Sequence, residues 1–549
     1  MVHLSRRTIK GNVYLYLQEN QRVNGKVKRV WQVYLGPEKT IKDHAALIAS
    51  PTFTVENFDF GLPVALMQIV DKLGLIDIID KRAPKRKQGW SVGHYVVLAA
   101  LNRCIKPVSK ERLCAWLETT YLQRFFPEIE TYLDSMAYTN HFEFLTEDNL
   151  FLIQQDIQEH LKETFGVDMA SVIYDMTNFF TFINPDDEED IPRHGHSKEN
   201  RTTLNLVGLS LLCTRDGGVP LHYDVYPGNT NDAMQFKEEL PRIIEQAGRL
   251  GILPEMITMT FDKGCNSPEA FSVIDDSGLA FACSIRPSMV KDLASLQGAT
   301  FEQFTLPNEK IVGIHEEKRE LYGKVRRLLV MYNPEQAKWN AETFFRKVDE
   351  DVQEIREFLA DKLNKKKWRS KAAVEKKVHD LVHAAYRPFV TTTITGENGS
   401  LEGKVVVNQD LLDDHIHALG KSYIITNHPS MAAVDVVWLF RQQIIIERAF
   451  NYLKDPDVAS VRPIYHRTDD SIRGHVFSCV LGLLLSTLLV RDVQKSIPSM
   501  SFTEIVESLA SITAARVTFS GAKQPVTKLA TMSPDAAKLC TLLELESYL

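Results

Sequence analysis

The order of the elements predicted between residues 168 and 290 is the feature that most constrains the fold of this chain. The segment 171–182 is rich in β-branched and aromatic residues, and two further strand-like segments flank the turn Asp216-Gly217-Gly218. A turn then leads into a helix with Asn231 or Asp232 as its N-cap, and a strand, a short helix and another strand follow. This β-β-β-α-β-α-β order predicts a mixed α/β sheet flanked by helices.

The composition is that of a globular chain with no uniform charge. Of its 549 residues 44% are apolar and 25% are charged, and the net charge is −7. These values exclude a disordered chain, a coiled coil and a uniformly basic coat, so phosphate binding has to come from local basic patches. Seven cysteines without a Cys-x-x-Cys pair argue against a disulfide scaffold and a structural zinc site, and they favour a reducing compartment.

The longest apolar run covers residues 476–490 and is too short to span a bilayer. We therefore expect a buried core helix there and no membrane partner. The first residues carry no apolar segment of the signal-peptide kind, which favours a cytoplasmic, nucleoid-associated location.

The N-terminal residues 1–46 have the basic character that the whole chain lacks. Strand-like segments at 12–17 and 30–35 flank the turn signal Asn24-Gly25, which predicts a basic β-hairpin unit. A DNA contact and a solvated edge strand protected by charge explain it equally well. Helical periodicity follows over residues 52–165, where Ser91 is a candidate N-cap.

Three carboxylates occupy positions that suggest chemistry. Asp175 lies inside an otherwise apolar strand, where an unpaired carboxylate costs several kcal/mol. Asp262 ends a second apolar strand, and Glu447 lies at the edge of the buried face of a helix predicted over 437–454. Each alone has an ordinary explanation as a turn cap or a boundary ion pair. Together they form an oxygen-only ligand set of the kind that Mg²⁺ or Mn²⁺ requires, and two such ions can drive an in-line phosphoryl displacement.

These residues and several motifs resemble the bacterial insertion-sequence DDE transposases, which have an RNase H-like core. The third motif of that family is Tyr-x2-Arg-x3-Glu-x6-Lys, and this chain has Phe440, Gln443, Glu447 and Lys454 at that spacing. Further similar stretches are Asn102-Arg-Cys-Ile-Lys-Pro-Val-Ser-Lys, Gly195-His-Ser-Lys-Glu-Asn-Arg, Pro227-Gly-Asn-Thr-Asn-Asp, Asp262-Lys-Gly-Cys-Asn-Ser, Arg462-Pro-Ile-Tyr-His-Arg and Ile472-Arg-Gly-His-Val-Phe. The resemblance covers about residues 12 to 490.

The resemblance implies an enzyme that hydrolyses the phosphodiester at each element end and joins the freed 3′-hydroxyl to target DNA. It implies that Asp175, Asp262 and Glu447 hold two Mg²⁺ or Mn²⁺ ions, and that a homodimer or higher oligomer binds double-stranded DNA. Gln443 lacks a guanidinium and Phe440 lacks a hydroxyl, so the use of a DNA hairpin stays open. The DNA contacts expected on this basis are Lys454, Phe440, Gln443, Lys263, Lys198, Arg201, Lys366, Lys367 and Arg369.

The same resemblance suggests how the chain is divided. The predicted regions are a helical, DNA-binding domain over 52–165, a first core part over 168–290, an α+β insertion domain over 291–420, a second core part over 421–490 and a helical region over 491–549. The cationic cluster 362–377, with Trp368, is either a DNA contact or a solvated helix face. Two other functions stay open: a nuclease without strand transfer, and a non-catalytic DNA-binding descendant of a transposase.

Overall fold

The structure is a computed structural model, and it describes residues 2–23, 26–45, 53–85, 89–127, 133, 135–185, 187, 190–199, 203–455, 460–519 and 524–549. The chain forms two compact units. Unit 1 comprises Met1–Gln235, Arg242–Leu253 and Ile444–Leu549, and unit 2 comprises Phe236–Pro241 and Pro254–Gln443.

The described residues form both strands and helices. The strands are β1 Val2–Ile9, β2 Asn12–Val23, β3 Lys26–Pro37, β4 Phe53–Asp59, β5 Ser171–Thr181, β6 Arg193–His194, β7 Asn205–Thr214, β8 Pro220–Pro227, β9 Thr258–Phe261, β10 Ala280–Ser284, β11 Glu302–Thr305, β12 Ile311–Leu321, β13 Lys324–Tyr332, β14 Val390–Glu397, β15 Ser400–Val407, β16 Lys421–Thr426, β17 Thr513–Phe519 and β18 Val526–Leu529. The α-helices are Glu38–Ala45, Gly61–Leu73, Leu75–Arg82, Val92–Ile105, Leu113–Glu118, Ser135–Phe142, Glu147–Glu163, Asp232–Arg249, Pro268–Ser277, Pro334–Lys362, Lys371–Leu381, Gln409–Ala418, Ala433–Arg441, Ile444–Lys454, Asp469–Ser496, Phe502–Ala510 and Pro534–Leu542.

Unit 1 contains three groups of strands. Strands β1, β2 and β3 form an antiparallel sheet, so the predicted hairpin is confirmed, although its turn at 24–25 lies outside the described residues. Strand β17 pairs with β4 on one side and β18 on the other. Strand β7 pairs antiparallel with β5 and, on its other edge, with β8. The β-β-β order predicted from residue 171 is therefore present.

The core of unit 1 is built on the apolar helix Asp469–Ser496. This helix is long and apolar enough to cross a membrane, but 89% of its most apolar 18-residue stretch is buried inside the protein. It packs against the helix Val92–Ile105, where an added Cβ at Gly482 would lie 3.1 Å from the carbonyl oxygen of Ala100. The expected buried core helix is confirmed.

Unit 2 contains a mixed sheet in the order β11-β12-β13-β16-β10-β9. Strands β9 and β10 are parallel, and the other pairs are antiparallel. Strands β11 to β13 fall inside the insertion predicted over 291–420, yet they pair in one sheet with β16 and β10. The helices Pro334–Lys362 and Lys371–Leu381 pack instead with the hairpin β14–β15 around a separate apolar cluster.

Three predictions about elements need correction. The helix predicted over 437–454 is two helices, Ala433–Arg441 and Ile444–Lys454, separated by a turn at 442–443. The residues 321–332 also have the composition of a single strand, but this stretch spans the hairpin turn between β12 and β13, since Tyr322 and Gly323 have φ angles of 51° and 79°. The region 491–549 contains strands β17 and β18 in addition to helices. The remaining domain boundaries stay predictions.

Candidate active site

Asp175 lies in the middle of β5, and the structure gives its carboxylate a partly solvated environment. The residues on both sides of it, Tyr174 and Met176, are buried, whereas Asp175 is half-buried. Its Oδ1 accepts a hydrogen bond from the backbone N–H of Met176 at 2.7 Å. A half-buried carboxylate that keeps contact with solvent can bind a cation without the full cost of burying an isolated charge.

Lys454 ends the helix Ile444–Lys454 and brings a cation close to Asp175. Burial lowers the pKa of Lys454, and the charges of Lys198 and Arg462 lower it further, while Glu199 and Asp175 raise it. Lys454 therefore sits among acidic and basic groups that come from distant parts of the sequence. The contact of Lys454 with a phosphate stays a prediction.

Arg462 connects three parts of this region. Its Nη1 donates to Glu199 Oε2 at 2.8 Å and its Nη2 donates to the carbonyl oxygen of Lys454 at 3.0 Å. The guanidinium also lies over the ring of Phe180 on β5, 5.0 Å from its centroid. Arg462 and Glu199 both lie in the transposase-like motifs of the sequence. The sequence predicts no role for either residue, because only the fold brings them together.

Lys198, a predicted DNA contact, is engaged within the protein. Its Nζ donates to the carbonyl oxygen of Met176 at 2.6 Å and to Asp232 Oδ2 at 3.2 Å. Its backbone N–H donates to Asn178 Oδ1 at 3.1 Å. Lys198 thus fastens its own segment to β5, and its role toward DNA stays a prediction. Arg201 lies outside the described residues.

Two glycines from the family-like motifs allow the same segment to approach the sheet closely. A Cβ added to Gly228 would lie 2.1 Å from the carbonyl oxygen of Leu206, and one added to Gly195 would lie 2.4 Å from the carbonyl oxygen of Gly228. Both contacts are with backbone, which cannot move aside as a flexible side chain can. A residue with a side chain at either position would therefore require the backbone to shift.

Glu447 lies in the first turn of the helix Ile444–Lys454 and is exposed. That helix packs on β5 and β7 with a face whose residues Ile446, Phe450 and Leu453 are buried. Seven residues separate Glu447 from Lys454, which is close to two helical turns, so both side chains leave the same side of the helix about 10 Å apart along its axis. Glu447 therefore shares a helix side with the lysine that interacts with Asp175.

Asp262 belongs to unit 2 and follows the last residue of β9. Its Oδ1 accepts a hydrogen bond from Ser284 Oγ at 2.5 Å, and the same hydroxyl accepts the backbone N–H of Lys263 at 2.9 Å. Ser284 ends the neighbouring parallel strand β10, so it holds the turn after Asp262 in place. The side chain of Lys263 is exposed, as a DNA contact requires.

The three carboxylates supply only oxygen atoms, and that donor set fits Mg²⁺ or Mn²⁺. Within the described part of the chain, no three His, Cys, Asp or Glu side chains form a group spaced to hold a metal ion. Asp175 and Glu447 lie in unit 1 and Asp262 in unit 2. The shared metal site stays a prediction.

The turn between the two helices changes the interpretation of Phe440 and Gln443. The sequence pattern placed both on one helical stripe with Glu447, but Phe440 lies before the turn, Gln443 lies within it, and both belong to unit 2. Phe440 is partly buried against the apolar cluster around Val436, Leu439 and Ile424. Their predicted alignment with Glu447 on a single helix is therefore wrong, because the helix that contains Phe440 ends at Arg441 and the helix of Glu447 begins at Ile444.

The cationic cluster of the predicted insertion is exposed at Lys366, Lys367 and Arg369. Trp368 is different, since its ring packs edge-on against Phe358 with centroids 5.1 Å apart and joins the apolar cluster of that region. Its expected contact with DNA is not favoured by this packing. The three basic residues stay predicted DNA contacts.

The comparison with solved structures finds matching chains, and one of them is a transposase. The chain is similar to a piggyBac transposase solved by cryo-EM as a synaptic complex with hairpin DNA, with a TM-score of 0.35 and 8% sequence identity over 82% of this chain and 78% of that one. The likeness is weak in both sequence and superposition. No protein-family model matches the sequence, and no curated protein matches it significantly.

Proposed function

We propose that this chain is a metal-dependent DNA transposase that cleaves element ends and transfers the freed strand to target DNA. The observation that carries the proposal is the convergence on β5 of Asp175, Lys454 and Arg462, which the resemblance assigns to separate transposase motifs. Glu447 lies on the same helix side as Lys454, which supports its assignment as a carboxylate of the same site.

Each residue has a distinct task in this proposal. Asp175, Asp262 and Glu447 would hold Mg²⁺ or Mn²⁺, which when bound activates the attacking oxygen and stabilises the leaving one. Lys454 would bind the phosphate next to the cleaved bond, and Arg462 would keep the end of that helix against β5. The partner is double-stranded DNA, and two element ends would be held by a homodimer or higher oligomer.

The test uses the full chain and a plasmid that carries its gene with the natural flanking DNA. Wild-type protein with Mg²⁺ is expected to release 3′ ends at the element boundaries and to join them to a second duplex. Asp175→Asn, Asp262→Asn and Glu447→Gln are each expected to abolish end cleavage while leaving DNA affinity within about threefold of wild type. Asp276→Asn, a change at an exposed aspartate of unit 2, is the matched control and should cleave normally.

Three outcomes would contradict the proposal. Cleavage that survives any one of the three carboxylate changes would remove that residue from the reaction. Cleavage without joining would instead indicate a nuclease, and metal-independent DNA binding without cleavage would indicate a non-catalytic descendant.

A further inference from the structure

The N-terminal sheet β1–β3 has two faces of different character. Strand residues alternate between the faces, so Leu15 and Leu17 point to one side and Tyr14 and Tyr16 to the other. On the first side, Leu17 pairs with Val33, and both are fully buried. Val33 packs in an apolar cluster with Ala515 of β17 and with Ala530, so this face is attached to the rest of unit 1.

The second face carries a group of aromatic and polar side chains. The ring of Tyr34 lies 5.2 Å from that of Tyr16 and 6.0 Å from that of Tyr14, and Tyr34 is 45% exposed. The guanidinium of Arg7 lies 5.0 Å from the ring centroid of Tyr16 and donates to Gln32 Oε1 at 3.0 Å. We call Arg7, Tyr14, Tyr16 and Tyr34 the tyrosine face.

The charge of this sheet is opposite to that of the whole chain. Residues 2–37 contain seven Lys or Arg residues and a single acid, Glu19, whereas the chain as a whole has a net charge of −7. Glu19 Oε2 accepts the indole N–H of Trp31 at 2.9 Å. Glu38, which directly follows β3, pairs with Arg6 at 2.8 Å, but the basic residues still outnumber these two acids, and their excess positive charge complements a polyanion.

We propose that the tyrosine face binds double-stranded DNA, as a contact separate from the candidate active site. Three neighbouring strands are about 10 Å wide, which suits a major groove about 12 Å wide. The tyrosine hydroxyls and the guanidinium can contact phosphates and base edges, while exposed Arg22, Lys26 and Lys28 lie along the hairpin and reach the backbone. A solvated edge strand would need the lysines but would not need three tyrosines in mutual contact.

Duplex DNA is favoured over a single strand by the geometry of the rings. Stacking of unpaired bases needs a ring that lies open and flat. The planes of Tyr14 and Tyr16 are tilted by 48° and 47° to that of Tyr34, so the three rings partly cover one another. This proposal rests on the proposed function only because both assign DNA as the ligand.

The experiment measures binding of the full chain to a labelled 30-base-pair duplex from the gene's flanking DNA by fluorescence anisotropy, with EDTA present. The double variant Arg7→Gln/Tyr34→Ala is expected to weaken duplex binding about tenfold and to reduce the slope of log affinity against log salt by about one. The matched control removes an exposed aromatic and an exposed arginine elsewhere, as Trp339→Ala/Arg346→Gln, and should bind as wild type does.

A second variant distinguishes a loss of DNA contacts from a folding defect. Arg22→Gln/Lys28→Gln changes only exposed side chains and should also weaken duplex binding severalfold. Unchanged duplex affinity in both variants would overturn the proposal, and so would a loss confined to a single-stranded probe. Because no cleavage is measured and EDTA is present, failure of the proposed enzymatic function would not alter this result.

Discussion

Arg462 shows how a single side chain can stabilise the candidate site. Its guanidinium contacts Glu199, the end of the helix that carries Lys454, and the ring of Phe180. Both partners of the ion pair are largely buried, with side-chain exposures of 26% and 22%. Removing one partner leaves the other charge poorly solvated, which costs more than the loss of an exposed pair.

Arg462→Ala is therefore expected to lower the free energy of unfolding by about 2–3 kcal/mol. Arg462→Lys should lose less, since it keeps the charge but not the two-pronged geometry. Urea denaturation measures both. The control is Arg346→Ala, whose partner Glu350 lies one helical turn away and is exposed, and its midpoint should stay close to wild type. Equal midpoints for Arg462→Ala and Arg346→Ala would contradict this account.

One buried histidine, His475, and one partly buried histidine, His466, make the stability of unit 1 depend on pH. Burial lowers the pKa of His466 to about 3, and Lys110 Nζ, whose own pKa burial lowers to about 7, lies 2.7 Å from His466 Nε2. Burial also lowers the pKa of His475, which lies beside His466, Arg103 and Lys110 and contacts the carbonyl oxygen of Val461 at 2.7 Å. Both imidazoles are neutral in the folded protein at neutral pH.

As the pH falls below about 6.5, the unfolded chain binds protons that these histidines do not bind in the folded state. Each is therefore expected to lower the free energy of unfolding by about 2 kcal/mol between pH 7 and pH 5. His475→Gln should remove its share of this loss, whereas His379→Gln, at an exposed histidine, should not. Urea denaturation at the two pH values measures the difference, and an unchanged loss in His475→Gln would refute the assignment.

At the scale of elements, the segment around Gly195 is fixed by backbone contact with the turn after β8. A Cβ added to Gly228 would lie 2.1 Å from the carbonyl oxygen of Leu206, so a methyl group there has no space. Gly248, in the helix Asp232–Arg249, has nothing within 4 Å of an added Cβ. The two positions allow the same substitution to be compared in opposite environments.

Gly228→Ala is expected to destabilise unit 1 by about 2–4 kcal/mol, because backbone has to shift. Gly248→Ala should be neutral or stabilising by up to about 1 kcal/mol, since alanine favours a helix. Thermal unfolding followed by circular dichroism measures both. A Gly228→Ala protein as stable as wild type would show that the backbone contact is not tight.

Sequence patterns predicted some elements well and missed others for physical reasons. The strands and helices from residue 171 to 285 follow alternation and turn residues, which are local signals. The turn at 442–443 has no such signal, because glutamine favours a helix and only tertiary packing breaks the helix there. Strand β1 was not predicted, because Arg6 and Arg7 interrupt the alternation of apolar and polar residues. The strand depends on pairing with β2.

At the scale of the whole molecule, candidate functional residues could be identified from the sequence, but the residues that they contact could not be predicted. Asp175 and Lys454 stand out in sequence, and the structure brings them into interaction. The ion pair of Arg462 with Glu199 joins residues 263 positions apart, which no local pattern encodes. The same holds for the proposed metal ligands Asp175, Asp262 and Glu447, which are far apart in the sequence.

The most direct test of the central claim is anomalous diffraction from Mn²⁺ bound to the full chain with duplex DNA from an element end. The account predicts that an oxygen of Asp175 and an oxygen of Asp262 or Glu447 ligate the same Mn²⁺, at about 2.2 Å. Manganese that binds Asp175 without either of the other carboxylates, or that binds only elsewhere, would contradict it.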